Sequence, residues 1–369
     1  MMKTTWSRRE FVQTTFLATA AAAVAAPLVG QAADAVSGTG KQKLKLGYDN
    51  FAVRAMKWKA AELIGYADQL KVDSLFITDL DAFVSTDTAH LKQLRSMAAD
   101  KGIEIQLGTW SICPTAKNFR KKWGTAEEHL GLALRMAHDL GSPVIRVVLG
   151  GGEDRRGPGG IQARIEDTVK VCQALRSRSL DLGVKIAVEN HAGDMHSREL
   201  VTLVEAAGKD YVGVNIDPGN ACWTMEDPVA NLENLAPYTL TSSMRDSMVW
   251  TYADGAKVQW TAMGEGIVDL KTYFRRFAEL CPNAPVHIET ISGFAREIPY
   301  LKPEFWDAYA GYRASDFAKF VALAQKGKAI EPHRSANEAE EQQYQKGEIE
   351  RSIKYCREVL GLGRRQLAG

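Results

Sequence analysis

An α/β chain folded as a (β/α)8 TIM barrel with a C-terminal helical extension is the architecture this sequence predicts. Two observations carry that expectation. From Leu44 onward, short apolar runs of strand length alternate with amphipathic segments of helical length, the pattern of βαβ units and a parallel sheet. The runs continue to Glu289, and a closed eight-stranded barrel typically takes roughly 250 residues. A third observation concerns chemistry: several of these runs end in a carboxylate.

The strand candidates are Leu44–Asp49, Ser74–Thr78, Glu104–Thr109, Val144–Leu149, Lys185–Glu189, Tyr211–Asp217, Leu240–Met244 and Val286–Glu289. Between them, helical spacing covers Lys57–Leu70, Ala89–Lys101, Ala126–Leu140, Ile161–Leu182, Arg198–Ala207, Asp227–Leu235 and Leu270–Leu280. A doubly wound open sheet is the rival. It calls for a Gly-rich turn after the first strand, where this chain has Asp49-Asn50-Phe51. Gly150-Gly151-Gly152 follows the fourth strand without phosphate-loop spacing and reads as a loop at the barrel mouth. The barrel is expected over 44–293, followed by an extension over 294–369 with a helix at Ala314–Lys326 and a polar tail from Glu331. That extension packs either on the barrel or on a second subunit, and a homodimer is one expectation it raises.

The first residues are read apart from the fold. Ser7-Arg8-Arg9-Glu10-Phe11 precedes a mildly apolar, Ala-rich run and an Ala33-Asp34-Ala35 site. This resembles a twin-arginine signal peptide over 1–35, with a flexible leader over 36–43, and implies export to the periplasm as a folded protein. The apolar run is too short and too Ala-rich for a membrane span, which needs about 20 apolar residues.

Net charge is +1, with 45% hydrophobic and 25% charged residues. That balance points to neither nucleic acid nor an anionic membrane as partner. The 5 Cys are scattered and form no C-x-x-C pair, so buried free thiols are expected rather than a zinc ribbon or a disulfide framework.

In such a barrel the active site lies at the C-terminal ends of the strands. Strand five ends in Glu189-Asn190-His191, strand six in Asp217-Pro218-Gly219-Asn220 and strand eight in Glu289. A carboxylate after a buried apolar run is costly unless paired or bound to a cation, and a divalent metal answers that cost. The plain alternative is that each acid caps the next helix, which suits Asp217 before Pro218 best. His287 reads as a core histidine, Arg146 as a partner for a barrel carboxylate, and Glu153 to Arg156 as a solvated loop. Trp110, Trp223, Trp250 and Trp260 fall in or near strand-end loops, where aromatic faces suit sugar C–H surfaces, but core packing is the favoured reading of each.

Glu-Asn-His after strand five, Asp-x-Gly-Asn after strand six, Arg245-Asp246 after strand seven, Glu289 after strand eight and Gly264-Glu265-Gly266-Ile267-Val268-Asp269 together resemble the sugar phosphate isomerase/epimerase family. These are xylose isomerase-like TIM barrels related to D-tagatose 3-epimerase. The resemblance implies one divalent ion (Mn, Mg, Co or Zn) held by Glu189, Asp217 and Glu289, with a fourth ligand, a His, from strand seven. This chain departs there, since Ser243 stands where the His belongs. Three outcomes are open: the site keeps three protein ligands with water or substrate completing it, it recruits His191, Asn220 or Gln259 as a substitute, or the metal is lost. Arg245 is either a substrate contact or a plain ion pair.

The implied activity is a metal-dependent isomerase or epimerase, with Glu189 and Glu289 as catalytic acid–base pair. It works by proton transfer next to a carbonyl through an enediolate. The substrate is a small-molecule sugar, non-phosphorylated or oxidised. A 3-keto-glycoside lyase or hydratase on the same site is the runner-up, and a non-catalytic carbohydrate-binding barrel is the reading from a different class. Endonuclease IV chemistry needs more His ligands than the 7 His of this chain supply.

Overall fold

The computed structural model describes residues 43–365; the expected signal peptide, and all but the last residue of the expected leader, lie outside them. Eight parallel strands close a barrel: β1 (Leu46–Asp49), β2 (Ser74–Ile77), β3 (Glu104–Ser111), β4 (Val144–Val148), β5 (Lys185–Glu189), β6 (Val212–Ile216), β7 (Thr239–Met244) and β10 (Val286–Ile288). All eight expected runs are present, shifted by no more than two residues at either end. Most of these strands are buried along their length. A strand covered on both faces must read as an apolar run rather than an alternation, which is why the runs were visible.

Seven helices fall on the expected segments: α1 (Ala60–Gln69), α2 (Thr88–Asp100), α3 (Ala126–Leu140), α4 (Gly160–Ala174), α6 (Ser197–Ala207), α8 (Pro228–Leu235) and α9 (Leu270–Leu280). Their starts have local causes. Thr125 and Glu128 form a reciprocal capping box on α3. Asp227 caps α8 ahead of Pro228, and Asp269 caps α9. The segment expected as one helix over Ile161–Leu182 is two, because the chain leaves helical geometry at Leu175 (φ −101°, ψ 9°) before α5 (Arg176–Leu182).

Two features depart from a plain barrel. First, α7 (Pro218–Trp223) forms directly on β6, and β7 runs at once into a hairpin, β8 (Asp246–Tyr252) and β9 (Gly255–Thr261). With β11 (Ala295–Ile298) this hairpin makes a separate antiparallel sheet in the order β11-β9-β8. The tight Ala253-Asp254-Gly255 turn flanked by β-branched and aromatic residues was its sequence signal. Second, the polar tail contains the long helix α11 (Glu338–Glu358), after α10 (Ala314–Ala324). This helix and the residues after it pack on the barrel: the Ala55 N–H donates to Gln345 Oε1, the Gln342 side chain donates to Ala55 O, and beyond the helix the Gly363 N–H donates to Leu44 O. Among the described residues no helix is long and apolar enough to cross a membrane. The five cysteines are buried and unpaired.

Candidate active site

The barrel interior is polar, and its layers lead upward to the site. His287, deep and fully buried, meets Ser74 Oγ through Nε2 (3.0 Å) and Ser242 O through Nδ1 (3.2 Å). It is a satisfied core histidine, pushed down to about 3 by burial. Above it, Glu189 at the end of β5 receives three donors: Arg146 Nε at 2.5 Å, Asn215 Nδ2 at 2.7 Å and Asn220 Nδ2 at 3.1 Å. Arg146 is therefore the partner expected inside strand four. Burial opposes the charge on Glu189, but the Arg146 guanidinium outweighs it and holds the carboxyl below its ordinary value.

At the mouth, Asp217 divides its two oxygens between structure and site. Oδ1 accepts the Asn220 N–H (2.9 Å) and so caps α7, while Oδ2 accepts from Arg245 Nη2 (2.6 Å) and Asn220 Nδ2 (2.7 Å). The cap and the charged site are thus both real, on one residue. Arg245 Nη2 also donates to Glu289, so one nitrogen bridges two of the three carboxylates. Burial raises Asp217 to about 8 against the pull of Arg245, and it raises Glu289 as well.

The sequence reading missed a fourth carboxylate. Asp49, at the end of β1, is fully buried and accepts from the Phe51 N–H and Thr78 Oγ1, both at 2.8 Å. Burial, then the nearby Glu289, drive it well above the usual carboxylate range. Its signal was the same as for the others, an acid closing an apolar strand. Ser243 lies below the mouth, with its hydroxyl accepting from Asn215 Nδ2 (3.2 Å) and directed at Asp49 Oδ2 (3.4 Å).

Glu189, Asp217 and Glu289 each present an oxygen, all within 4.8 Å of one another. An all-oxygen, anionic donor set suits a hard divalent cation. Four buried acids, Asp49, Glu189, Asp217 and Glu289, share two equally buried cations, Arg146 and Arg245, and burial favours the protonated form of three of them, protons that a bound cation would displace. The cluster is thus consistent with a metal site, one in which an ion would take over contacts now made by Arg245 Nη2. No histidine belongs to this group among the described residues.

The candidate substitutes fall in different places. His191 follows the end of β5 and does not continue the strand, since Ala192 turns to φ +46°. Its Nδ1 meets Gly150 O at 2.7 Å, and burial lowers it to about 4, so the ring is neutral. Asn220 is fully spent, with Oδ1 accepting the Ala192 N–H (3.0 Å) and Nδ2 clamping Glu189 and Asp217. Gln259 precedes Trp260 on β9 and so points to the opposite face of that strand.

Above the carboxylates opens a cavity of about 340 Å³, within the usual range for small-molecule sites. Glu289, His191, Arg245, Arg146, Arg54 and Asn220 supply its polar lining. Aromatic side chains supply much of the rest, a role beyond core packing. Trp223 and Trp260 stack with centroids 4.0 Å apart and planes 8° apart. Each indole keeps one face for a cation: Arg245 lies 4.1 Å from the Trp260 centroid and Arg296 4.4 Å from that of Trp223. Trp110 also lines the cavity and Trp250 does not. Glu153 to Arg156 is not a solvated loop throughout: Asp154 and Arg155 are buried, Arg155 against both oxygens of Glu199.

Two motifs prove to be one unit. Asp246 accepts backbone N–H groups from Gly264 (3.1 Å), Gly266 (2.9 Å) and Val268 (3.4 Å). A Cβ at Gly266 would lie 2.2 Å from the Asp246 carboxylate. The Arg-Asp pair thus splits its work, Asp246 stitching the loop and Arg245 facing the cavity. Gly219 makes the room, since a Cβ there would lie 2.3 Å from Arg245 Cγ.

Barrel, mouth carboxylates and an aromatic-walled cavity define the class, a (β/α)8 protein with its functional groups on the strand-end rim. The chain belongs to the xylose isomerase-like TIM barrel family, whose model matches residues 51–304. It is 22% identical over 170 residues to 3-oxo-isoapionate decarboxylase of Pectobacterium atrosepticum, covering 46% of this chain and 54% of that protein, so the match spans about half the relative's length. Its fold is similar to a crystal structure of D-psicose 3-epimerase in the presence of D-fructose (TM-score 0.56, 14% identity, 86% of this chain and 100% of that one). It is also similar to IOLI protein with a bound zinc atom (TM-score 0.52, 16% identity, 78% and 100%).

Proposed function

We propose that this chain is a sugar isomerase or epimerase that transfers a proton next to a carbonyl, with Glu289 as the proton-carrying base. The observation that carries the reading is the position of Glu289. Of the three clustered carboxylates it alone lines the cavity, and its protein partner is Arg245, whereas Glu189 is held by three donors. Burial raises the proton affinity of Glu289, in the direction a base working near neutral pH requires.

The second proton-handling role, expected of Glu189, passes in this reading to His191. That side chain also lines the cavity. With Nδ1 directed at the Gly150 carbonyl, a neutral ring leaves its Nε2 lone pair for the substrate. Glu189, Asp217 and Glu289 would hold a divalent cation (Mn, Mg, Co or Zn), which when bound polarises a carbonyl oxygen and steadies the charge developing there. The aromatic walls shield the reacting groups from water and raise the strength of each polar contact. Export through the twin-arginine pathway to the periplasm belongs to the same proposal, supported by Arg8-Arg9 and the Ala-rich run after it.

The test is exchange of the substrate α-proton with deuterated solvent across a panel of free and 3-keto sugars. Glu289→Gln is expected to lower it by about 10²–10⁴-fold; undiminished exchange sinks the reading. Elemental analysis accompanies it, with about one divalent ion per chain expected, lost in the Glu189→Ala/Glu289→Ala variant. A lyase outcome is favoured by one observation, the decarboxylase activity named for the curated relative. An enediolate beside a leaving group expels it, so product analysis separates an epimer from a cleaved or dehydrated sugar.

A further inference from the structure

His191 lines the barrel-mouth cavity and meets the protein through one ring nitrogen. Nδ1 lies 2.7 Å from Gly150 O, and a carbonyl can only accept, so Nδ1 carries a proton. Among the described residues Nε2 has no hydrogen-bond partner. What holds Gly150 and His191 in this relation is Asp194. Its Oδ2 accepts the Gly150 N–H (3.1 Å), and its Oδ1 accepts those of His191 (2.8 Å) and Met195 (2.5 Å). One carboxylate thus ties the segment after β4 to the turn after β5. That turn is closed by the Asp194 N–H on His191 O (2.8 Å). It runs through two left-handed residues, Ala192 (φ +46°) and Gly193 (φ +79°). An alanine there is strained, so the turn is imposed by its surroundings. Asp194 is fully buried, and among the described residues no ion pair reaches its carboxylate; Arg155 meets its backbone carbonyl instead (2.6 Å). An unpaired buried charge is costly, and asparagine or serine closes a turn without one. Only a carboxylate accepts on two oxygens, and the second oxygen goes to Gly150.

We infer that Asp194 is the positioning residue for His191: by fixing Gly150 O against Nδ1, it leaves Nε2 as the ring nitrogen offered to a ligand. The inference deepens the proposed function and rests on it for what Nε2 does there. The fixed tautomer follows from the contacts alone. Asp194 is not part of the cavity lining, so it acts only through His191 and Gly150. Asp194→Asn is the discriminating change. The amide keeps an oxygen for the His191 and Met195 N–H groups but sets its NH2 against the Gly150 N–H, two donors facing each other. Gly150 then turns away and Nδ1 loses its acceptor.

The tautomer is read by NMR of the full-length protein labelled with heavy nitrogen at histidine, without ligand. At about pH 9 a free imidazole is neutral, and Asp194, pushed up to about 8 by burial, is ionised. The chain has 7 His, and His191→Gln assigns the signal. Expected in the unaltered protein is an Nδ1–H form that outnumbers the Nε2–H form by about tenfold or more; in Asp194→Asn the ratio comes within about threefold of even. Exchange of the sugar α-proton should fall about tenfold or more in kcat, with KM held within about threefold. If Asp194→Asn folds poorly, adding Ala192→Gly relieves the left-handed strain and restores the melting temperature while the Gly150 N–H stays opposed, so the tautomer is read in that double variant. An Nε2–H ring in the unaltered protein overturns the inference. So does a variant that loses melting temperature yet keeps the tautomer and the exchange rate, since Asp194 would then only brace the turn. The tautomer needs no substrate, so failure of the sugar reading leaves it standing, and its own failure leaves the Glu289 result standing.

Discussion

Two depressions of this molecule invite comparison, and the larger is the less informative. A cleft of about 500 Å³ lies among Arg155, His196, Glu199 and Tyr312; the cavity at the barrel mouth is smaller. Each contains a buried arginine paired with acid. Arg155 is spent: Nε donates to Ala308 O, Nη1 to Asp194 O and Glu199, and Nη2 to Glu199, with the Tyr309 ring 4.1 Å away. Arg245 keeps two nitrogens unanswered. A satisfied buried cation holds a fold together, while one left partly unsatisfied beside a cavity can exchange its partners. Volume does not make that distinction; donor accounting does.

The contrast can be broken by substitution. The largest effect is expected at the mouth, where loss of Glu289 as a base removes orders of magnitude of proton exchange at little structural cost. Arg155→Met should do the reverse. It leaves the partly buried Glu199 without its arginine and Ala308 O and Asp194 O without a donor, and should cost about 1–3 kcal/mol in denaturant unfolding, while sugar binding by the folded fraction stays intact. Impaired binding at unchanged stability would merge the two depressions into one functional region.

A finer test is Gly219→Ala. The added methyl runs into the stem of Arg245, and overpacking of this kind costs about 1–3 kcal/mol. Chemical denaturation should show that loss together with weakened ligand binding, because Arg245 must shift. Stability loss with binding untouched would separate Arg245 from the ligand.

The smallest expected effect concerns pH. Glu226, in the larger cleft, accepts from Ser197 N–H (2.7 Å) and Asn231 Nδ2 (3.0 Å), and burial pushes it up to about 7. Its folded value lies above its unfolded one, so its contribution to stability is complete below about pH 4.5 and fades as pH rises through 7. Wild-type melting temperature should therefore fall between pH 5 and pH 8, and Glu226→Gln should flatten part of that fall. An identical pH profile in the variant rejects the assignment.

How much of this was legible follows from burial. Strands covered on both faces announce themselves as apolar runs, and an acid closing such a run, as at Glu189 and Glu289, stands out because it has no cheap structural reason to be there. Arg146 showed itself in the same way, as a lone charge inside an apolar strand. Asp49 obeys the same rule at the end of the first strand, but Asn50-Phe51 after it carry no ligand motif. The β8–β9 hairpin interrupts the strand–helix alternation, so a reading built on that alternation left Gln259 as a ligand candidate although it points to the opposite face of β9 from Trp260. Arg54 had no signal at all. It enters the cavity from a short helical turn over Asn50–Met56, and neither periodicity nor motif says which way a residue on such a turn faces.

The stacked indoles carry a last consequence. At 4.0 Å and nearly parallel, Trp223 and Trp260 are close enough for their electronic transitions to couple. Such a pair couples its strong far-ultraviolet transitions into a circular dichroism couplet rather than two independent bands. With Arg245 on one outer face and Arg296 on the other, anything that moves either cation alters that couplet. The protein therefore carries its own optical gauge of whether the site is filled.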